Sequence, residues 1–153
     1  MDGLQPEFTA RYVILLGMYT GARFGECLGL TWDCIDFENC TIRIEKGLDY
    51  HYTNDFTDGK TKNSKRTIEV NRELLDLLNQ LPRNNERVFA RMSNNAVNKT
   101  LEHALKRAGI EKVVTFHALR HTHASILLSQ GVQLLTVSRR LGHADANITL
   151  KTY

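Results

Sequence analysis

The sequence predicts a mostly helical α+β domain that carries a small three-stranded antiparallel sheet. Its 153 residues are the usual length of one domain, and 42% hydrophobic with 24% charged residues is the composition of an ordinary globular protein. Apolar residues recur at helical spacing in several segments. Two stretches, 34–46 and 66–70, are instead rich in β-branched residues and are bounded by turn signals, as short strands are.

Helical spacing and turn residues together predict seven helices, some of which end at recognisable signals. Thr20-Gly21 breaks the first helix and Pro82 ends the third, while Ser93 is a suitable N-cap for the fourth. Glycines close the fourth, fifth and sixth helices, a common way for a helix to end. The predicted helices are Phe8–Tyr19, Arg23–Leu30, Glu73–Leu81, Ser93–Ala108, Phe116–Gln130, Leu134–Leu141 and a last one from Asn147 that contains Tyr153.

The strand-like stretches predict the sheet. Ile35 and Phe37 form one strand, and a turn near Glu38-Asn39 leads to a second strand that contains Ile42. The third strand is Arg66–Val70. Residues 47–64, between the second and third strands, are polar and contain the turn signal Asp58-Gly59, so they are predicted to be a loop.

The charge distribution and the cysteine content limit the kind of binding partner and the cellular compartment that the sequence favours. The formal net charge is +3, but residues 1–50 carry an excess of acidic residues and the later residues an excess of basic ones. This basic surplus fits an anionic polymer as partner or, equally, a solubilising surface. Cys27, Cys34 and Cys40 are odd in number and lack a CxxC spacing, which favours the reducing cytoplasm. The sequence contains no run of about 18 apolar residues, so no membrane span is predicted.

The first chemical motif is the string Thr20-Gly21-Ala22-Arg23-Phe24-Gly25-Glu26. An arginine at such a turn can bind phosphate oxygens with its planar set of donors, or it can simply be a surface residue. Glu26 lies one helical turn away, where it could pair with Arg23 and orient it.

The second motif, His117-Ala118-Leu119-Arg120-His121, lies on one predicted helix. His117 and Arg120 are three residues apart and therefore point to similar sides of that helix. His117 and His121 also have the spacing of a helical zinc pair, but the string lacks the glutamate of HExxH and contains a cationic arginine. His123 falls within the apolar stripe, which predicts a hydrogen-bonded core histidine rather than a ligand.

The third motif is Leu141-Gly142-His143, followed ten residues later by Tyr153. A tyrosine hydroxyl can attack phosphorus and hold it covalently. Alone, His143 could equally be a capping residue and Tyr153 an ordinary core or surface tyrosine. Two arginines, two histidines and a tyrosine in this order suggest a site that handles a phosphodiester.

Taken together, these motifs resemble those of the tyrosine recombinases, also called phage integrases, from about Phe8 to Tyr153. The resemblance implies that family's catalytic-domain fold and a reaction on double-stranded DNA. Tyr153 would be the nucleophile, Arg23 and Arg120 would hold the nonbridging oxygens, His143 would donate a hydrogen bond to the phosphate and His117 would assist proton movement. No metal or other cofactor is implied.

The resemblance also implies a catalytic lysine in a turn between two strands. The segment Lys60–Thr67 carries four basic residues and leads into the third predicted strand. By its position Lys62 matches best, and Lys60 is the alternative. The lysine would protonate the leaving 5′-oxygen. On charge alone the same segment could be a solvated loop or a nonspecific DNA contact.

The family resemblance finally sets expectations for the whole protein. Residues 1–153 would be the catalytic domain, with an N-terminal DNA-binding domain and a C-terminal tail lying outside them. We expect integration or excision of DNA by a protein that self-associates as a tetramer on DNA, with this fragment monomeric alone. Two alternatives are a type IB topoisomerase-like enzyme that relaxes DNA and a noncatalytic DNA-binding module. A covalent protein–DNA adduct would exclude the module, and strand exchange would exclude the topoisomerase.

Overall fold

The computed structural model describes residues 9–49, 55–58, 64–143 and 145–152. The helices in this part of the chain are α1 (Thr9–Thr20), α2 (Phe24–Leu28), α3 (Arg72–Leu78), α4 (Asn94–Arg107), α5 (Phe116–Ser129), α6 (Leu134–Leu141) and α7 (Ala146–Thr152), with a 3₁₀ turn at Trp32–Cys34. The strands are β1 (Ile35–Asp36), β2 (Thr41–Ile44), β3 (Lys46–Leu48), β4 (Phe56–Asp58) and β5 (Arg66–Glu69).

Helix boundaries follow the local signals in the sequence. The Ser93 hydroxyl accepts a hydrogen bond from the Ala96 amide at 3.1 Å and so caps the start of α4. Gly109, Gly131 and Gly142 lie just beyond α4, α5 and α6 and have positive φ. Each of the seven predicted helices is present, although α2 and α3 are shorter than expected.

One main hydrophobic core joins the helices to the sheet. Helix α1 packs against α2, α3, α4 and α5, so it lies at the centre of the helical part. The largest fully buried apolar side chains of this core come from both parts of the fold: Tyr12, Val13, Leu16, Leu28, Ile42, Ile68, Leu74, Leu75, Leu78, Phe89 and Val97. A smaller apolar cluster holds α5 and α6 together around Ala124, Val137 and Leu141.

The predicted three-stranded sheet is present, with strand order β1-β2-β5 and antiparallel pairing throughout. Ile42 pairs with Ile68, and both side chains are buried against the core. The paired neighbours Arg43 and Thr67 are exposed on the opposite face. This alternation is the period of two that a sheet with one buried face requires.

The prediction of a loop over residues 47–64 was wrong in part, because β3 and β4 form a second, two-stranded antiparallel sheet there. The pairing of Gly47 with Thr57 lies at its centre. All three residues of β4 are exposed, so the alternation that identifies a strand is missing, and Gly47 disfavours a strand by propensity. The predicted turn residue Gly59 lies outside the described residues.

In the part of the chain that the structure describes, no helix combines the length and apolar character needed to cross a membrane.

Candidate active site

A cavity of about 700 Å³ lies where the start of α2, the start of α5 and the turn after α6 meet, with β3 and β4 along one side. Four of the six predicted site residues line it: Arg23, His117, Arg120 and His143. The other two, Lys62 and Tyr153, and the alternative lysine, Lys60, lie outside the described residues. Residues up to 120 positions apart in sequence are therefore brought to one cavity.

Arg23 lies at the rim of the cavity, directly before α2. Its backbone is extended, and its amide donates to Glu26 Oε1 at 2.9 Å. The side chain of Arg23 is 45% exposed, and its Nη1 lies 3.6 Å from the same carboxylate. Because this ion pair is long and solvated, it restrains the guanidinium only weakly.

Glu26 contacts Arg23, as the sequence suggested, but its closest ion pair is with Arg66. Arg66 Nη1 lies 2.7 Å from Glu26 Oε2, and Nη2 lies 3.2 Å from Oε1. Both side chains of this pair are largely buried. Burial raises the pKa of Glu26, but the hydrogen bonds and positive charge of Arg66 outweigh it, so the pKa lies below its usual range.

Arg66 also connects two further parts of the site. It donates to the Ser64 carbonyl at 2.7 Å and to the Arg140 carbonyl at 2.7 Å. Gly142 lies against its guanidinium, and a Cβ at this position would stand 2.6 Å from Nη1. Arg66 therefore joins α2, the turn before β5 and the end of α6. In the sequence Arg66 is visible as the start of a strand and as one base of a basic segment, but its structural partners are distant along the chain.

Arg120 is held inside the fold by backbone carbonyls. Only 4% of the residue is exposed. Its Nη1 donates to the Gly21 carbonyl at 2.8 Å, and its Nη2 donates to the Leu141 carbonyl at 2.7 Å. One guanidinium therefore fixes the turn between α1 and α2 to the end of α6, and it lines the cavity in a single orientation.

The start of α5 is positioned by a residue that sequence reasoning missed. Asn98 on α4 accepts a hydrogen bond from the Phe116 amide at 2.8 Å and thereby satisfies an unpaired donor at the helix start. The Phe116 ring packs edge-on against Phe24 at 5.3 Å between centroids. A Cβ at Gly17 would stand 2.6 Å from this ring, so α1 and α5 approach closely here. His117 and Arg120 are thus carried on a helix that three neighbours fix.

His117 and His121 lie side by side on α5, with ring centroids 4.8 Å apart. Burial lowers the pKa of His117, and the nearby His121, Arg120 and Arg23 lower it further. Within the described residues, no group of three or more His, Cys, Asp and Glu side chains is arranged to hold a metal ion.

His123 has the hydrogen-bonded role that the sequence predicted. Its Nδ1 lies 3.0 Å from the Met18 carbonyl, and its Nε2 accepts a hydrogen bond from Arg140 Nε at 3.0 Å. Burial and then the charge of Arg140 lower the pKa of His123 to about 4. The ring is therefore neutral near pH 7 and both of its nitrogens have protein partners.

His143 follows a regular helix end. The Gly142 amide donates to the Arg139 carbonyl and the His143 amide donates to the Ser138 carbonyl, with Gly142 at φ 74°. This is the Schellman arrangement, in which a glycine at positive φ closes the helix. Burial lowers the pKa of His143 to about 4, and the charges of Arg120, Arg23 and Arg66 act in the same direction.

The β3–β4 sheet adds a cation that the sequence analysis did not single out. Lys46 lines the cavity, and its Nζ lies 4.7 Å from the centroid of the Phe56 ring. Acidic side chains, Glu26, Glu45 and Asp58, also line the cavity, and Glu26 is paired with Arg66. Guanidinium groups at the rim and at the base of one cavity, with two neutral histidines, form a suitable environment for a phosphate group.

The sequence matches the model of the phage integrase family over residues 4–153. The match covers nearly the whole chain, and the chain therefore belongs to the phage integrase family.

Curated relatives agree with this assignment. The chain is 35% identical to a tyrosine recombinase XerC-like protein of Caldanaerobacter subterraneus subsp. tengcongensis, over 92% of this chain and 44% of the relative. It is 32% identical to the integrase of Staphylococcus phage L54a, over 88% of this chain and 44% of that protein. The chain thus spans less than half the length of these relatives.

Solved structures show the same fold. The catalytic domain of bacteriophage HP1 integrase matches with a TM-score of 0.62 and 26% identity, over 92% of this chain and 71% of that one. The Tn1549 transposon integrase in complex with circular intermediate DNA matches with a TM-score of 0.77 and 22% identity, over 99% of this chain and 56% of that one. The mostly helical domain with a small antiparallel sheet is therefore the fold of tyrosine recombinase catalytic domains.

Proposed function

We propose that this chain is the catalytic domain of a tyrosine recombinase that cuts and rejoins double-stranded DNA at specific sites. The observation that carries the proposal is the convergence of Arg23, His117, Arg120 and His143 on one cavity, in a chain of the phage integrase family. The Tn1549 transposon integrase, which has the same fold, was solved in complex with DNA. Integration or excision of a DNA element is the reaction that fits the integrases among the relatives.

The reaction begins with attack on a backbone phosphorus. The Tyr153 phenolic oxygen bonds to phosphorus while the bond to the 5′-oxygen breaks, which leaves a 3′-phosphotyrosyl link and a free 5′-hydroxyl. The phenol, with an ordinary pKa of about 10, gives up its proton with the assistance of His117. Lys62 supplies the proton that the leaving 5′-oxygen needs. Attack by another 5′-hydroxyl reverses these steps and joins the new strands.

Arg23, Arg120 and His143 carry the negative charge that builds on the nonbridging oxygens. Donors that are already in place cost no reorganisation as the reaction proceeds, and they act more strongly in a cavity than in water. Arg120 meets this requirement best, because two backbone carbonyls hold its guanidinium before any ligand arrives. The charge balance comes from these side chains, so the proposed reaction needs no metal.

The proposal extends to the whole protein and its assembly. We place residues 1–153 as the catalytic domain of a longer protein, with further DNA-binding and tail segments outside it. The longer protein would act in the cytoplasm as a tetramer on DNA, and the fragment alone would be monomeric. Analytical ultracentrifugation of the longer protein and of the fragment, with and without a DNA site, measures these oligomeric states.

The experiment that tests the function is the trapping of a covalent adduct. A nicked DNA that loses a short 5′-hydroxyl fragment after cleavage should leave the intact protein bound to DNA, and Tyr153→Phe should trap none. Tyr19→Phe is the matched control, because the Tyr19 hydroxyl bonds to Glu73. A strong adduct from Tyr153→Phe would contradict the assignment of the nucleophile. An absence of any adduct from the wild type would favour a noncatalytic DNA-binding module.

Two additions to this assay separate the remaining alternatives. Adduct formation should survive excess chelator, whereas loss with chelator and recovery with zinc would favour the histidine-metal interpretation. Strand exchange between two DNA sites supports a recombinase, whereas relaxation of supercoiled DNA without exchange would support a type IB topoisomerase-like enzyme.

A further inference from the structure

The imidazole of His143 has a buried partner on the next helix. Thr149 of α7 is fully buried, and its Oγ1 lies 2.6 Å from His143 Nδ1. The bond crosses from the turn after α6 to the first turns of α7. His143 lines the cavity, so this contact orients a ring that faces the proposed phosphate site.

The hydroxyl of Thr149 behaves differently from those of three other helical threonines. The Thr20, Thr100 and Thr122 hydroxyls each donate to the backbone carbonyl four residues earlier in their helix. That local bond is the usual partner of a helical threonine. The hydroxyl of Thr149 instead makes a short contact with the ring nitrogen of His143.

The direction of this hydrogen bond decides which ring nitrogen carries the proton. His143 is neutral near pH 7, because burial and the charges of Arg120, Arg23 and Arg66 lower its pKa to about 4. A neutral imidazole has one N–H and one bare nitrogen, and the partner of one nitrogen selects the tautomer. A phosphodiester oxygen only accepts hydrogen bonds, so the nitrogen that faces it must carry the proton.

We propose that Thr149 is a positioning residue that donates its hydroxyl proton to His143 Nδ1 and thereby keeps the ring proton on Nε2, available to the phosphate. The inference rests on the proposed function, since the phosphate is what requires a donor at Nε2. Thr149 also precedes Tyr153 by four residues in the sequence. The same bond therefore ties the segment before the proposed nucleophile to the histidine that binds the phosphate.

Nuclear magnetic resonance of the histidine rings tests the tautomer without any DNA. In the intact ¹⁵N-labelled protein at neutral pH, the His143 signals, assigned with His143→Gln, should be those of the Nε2–H form. Thr149→Ser should keep this form, and Thr149→Val should shift the population toward the Nδ1–H form. A wild-type ring in the Nδ1–H form, or no change in Thr149→Val, would overturn the proposal.

Single-turnover cleavage tests the consequence. Thr149→Val should slow cleavage by about tenfold, the size of one hydrogen bond, with little change in DNA affinity, and Thr149→Ser should restore most of the rate. In a His143→Ala background Thr149→Val should cost nothing more, whereas a merely structural role would slow cleavage in both backgrounds. Thr100→Val, the same change on α4 away from the cavity, should leave the rate unchanged. A wild type that cuts no DNA would count against the proposed function, and the ring spectra would still decide the tautomer.

Discussion

The two arginines proposed to bind phosphate lie in opposite settings. Arg120 is 4% exposed and its guanidinium is bonded to two backbone carbonyls. The side chain of Arg23 is 45% exposed and its closest ion-pair contact is a 3.6 Å approach to Glu26. One arginine is part of the core that joins α1, α5 and α6, whereas the other extends from a turn into solvent.

This difference separates two tasks that a phosphate site must perform. A donor fixed by the fold offers the phosphate a defined position before binding, which is the basis of electrostatic preorganisation. A donor at the rim can adjust to the ligand as it arrives, at the expense of side-chain entropy. We therefore expect substitutions of Arg120 to affect folding and function together, and substitutions of Arg23 to affect function alone.

Arg120→Ala should have the largest effect. It leaves the buried Gly21 and Leu141 carbonyls without their donor, at about 1–3 kcal/mol for each acceptor. The free energy of unfolding, measured by urea denaturation, should fall by the sum of these costs, and DNA cleavage should be lost. If Arg120→Ala has the same urea denaturation midpoint as the wild type, the two carbonyl bonds of Arg120 do not stabilise the fold.

Substitution of Arg66 should have the next largest effect, mainly on the free energy of unfolding. Arg66→Met removes the closest ion-pair partner of the largely buried Glu26 carboxylate, which should cost about 3 kcal/mol in the free energy of unfolding. Replacing Glu26 as well, in Arg66→Met/Glu26→Leu, should recover part of this loss, since the unpaired charge is removed. A double variant as unstable as the sum of both single variants would contradict a direct pair.

Arg23→Ala should leave the fold almost unchanged. The free energy of unfolding should stay within about 0.5 kcal/mol of the wild type, as for most exposed positions. The backbone amide of residue 23 keeps its bond to Glu26. Cleavage should nevertheless fall by about 10²–10³-fold, the loss that removal of one charge-stabilising donor produces. Circular dichroism melting measures the stability, and single-turnover kinetics measure the cleavage rate. If Arg23→Ala lost as much stability as Arg120→Ala, the proposed difference between the two arginines would be wrong.

The partly buried His123 and His143 should make the free energy of unfolding depend on pH, with a smaller effect than the substitutions above. Burial and Arg140 lower the pKa of His123 to about 4, below the value of about 6.5 for an unfolded histidine. Between these values the unfolded chain binds more protons, so stability is complete above pH 6.5 and is lost as the pH falls toward 4. His143, with its pKa near 4, contributes in the same direction.

His123→Gln should flatten this dependence, because glutamine does not titrate in this range. Urea denaturation of both proteins at several pH values between 4 and 7 measures the slope. An unchanged slope in His123→Gln would mean that the ring is not held neutral by its surroundings.

Local signals explain why much of the fold was predictable. The Ser93 cap and the glycines after α4, α5 and α6 depend on nearby residues, and those helices end within a residue or two of the expected positions. The alternation of β2 and β5 depends on one buried face and was equally visible. Strand β4 was missed because it is exposed on both faces.

The residues of the candidate site were predictable only where they belong to compact motifs. Arg23, His117, Arg120 and His143 were identified from short strings, and the fold brings them to one cavity. Arg66 and Asn98 act through partners that are distant in sequence. The pairs Arg66–Glu26 and Asn98–Phe116 are 40 and 18 residues apart, so no local pattern reveals them.

The measurement that tests the account most directly is cleavage of DNA whose bridging 5′-oxygen is replaced by sulfur. A thiolate leaves without a proton, so this substrate should rescue Lys62→Ala, which on ordinary DNA should lose about 10²–10⁴ in rate as general-acid variants do. Lys60→Ala is the matched control and should be only mildly affected on either substrate. The sulfur-containing DNA should not rescue Arg23→Ala. This variant should stay folded, but it lacks a side chain that balances the phosphate charge, and the sulfur does not replace that. Full rescue of Arg23→Ala, with Lys62→Ala left inactive, would contradict the account.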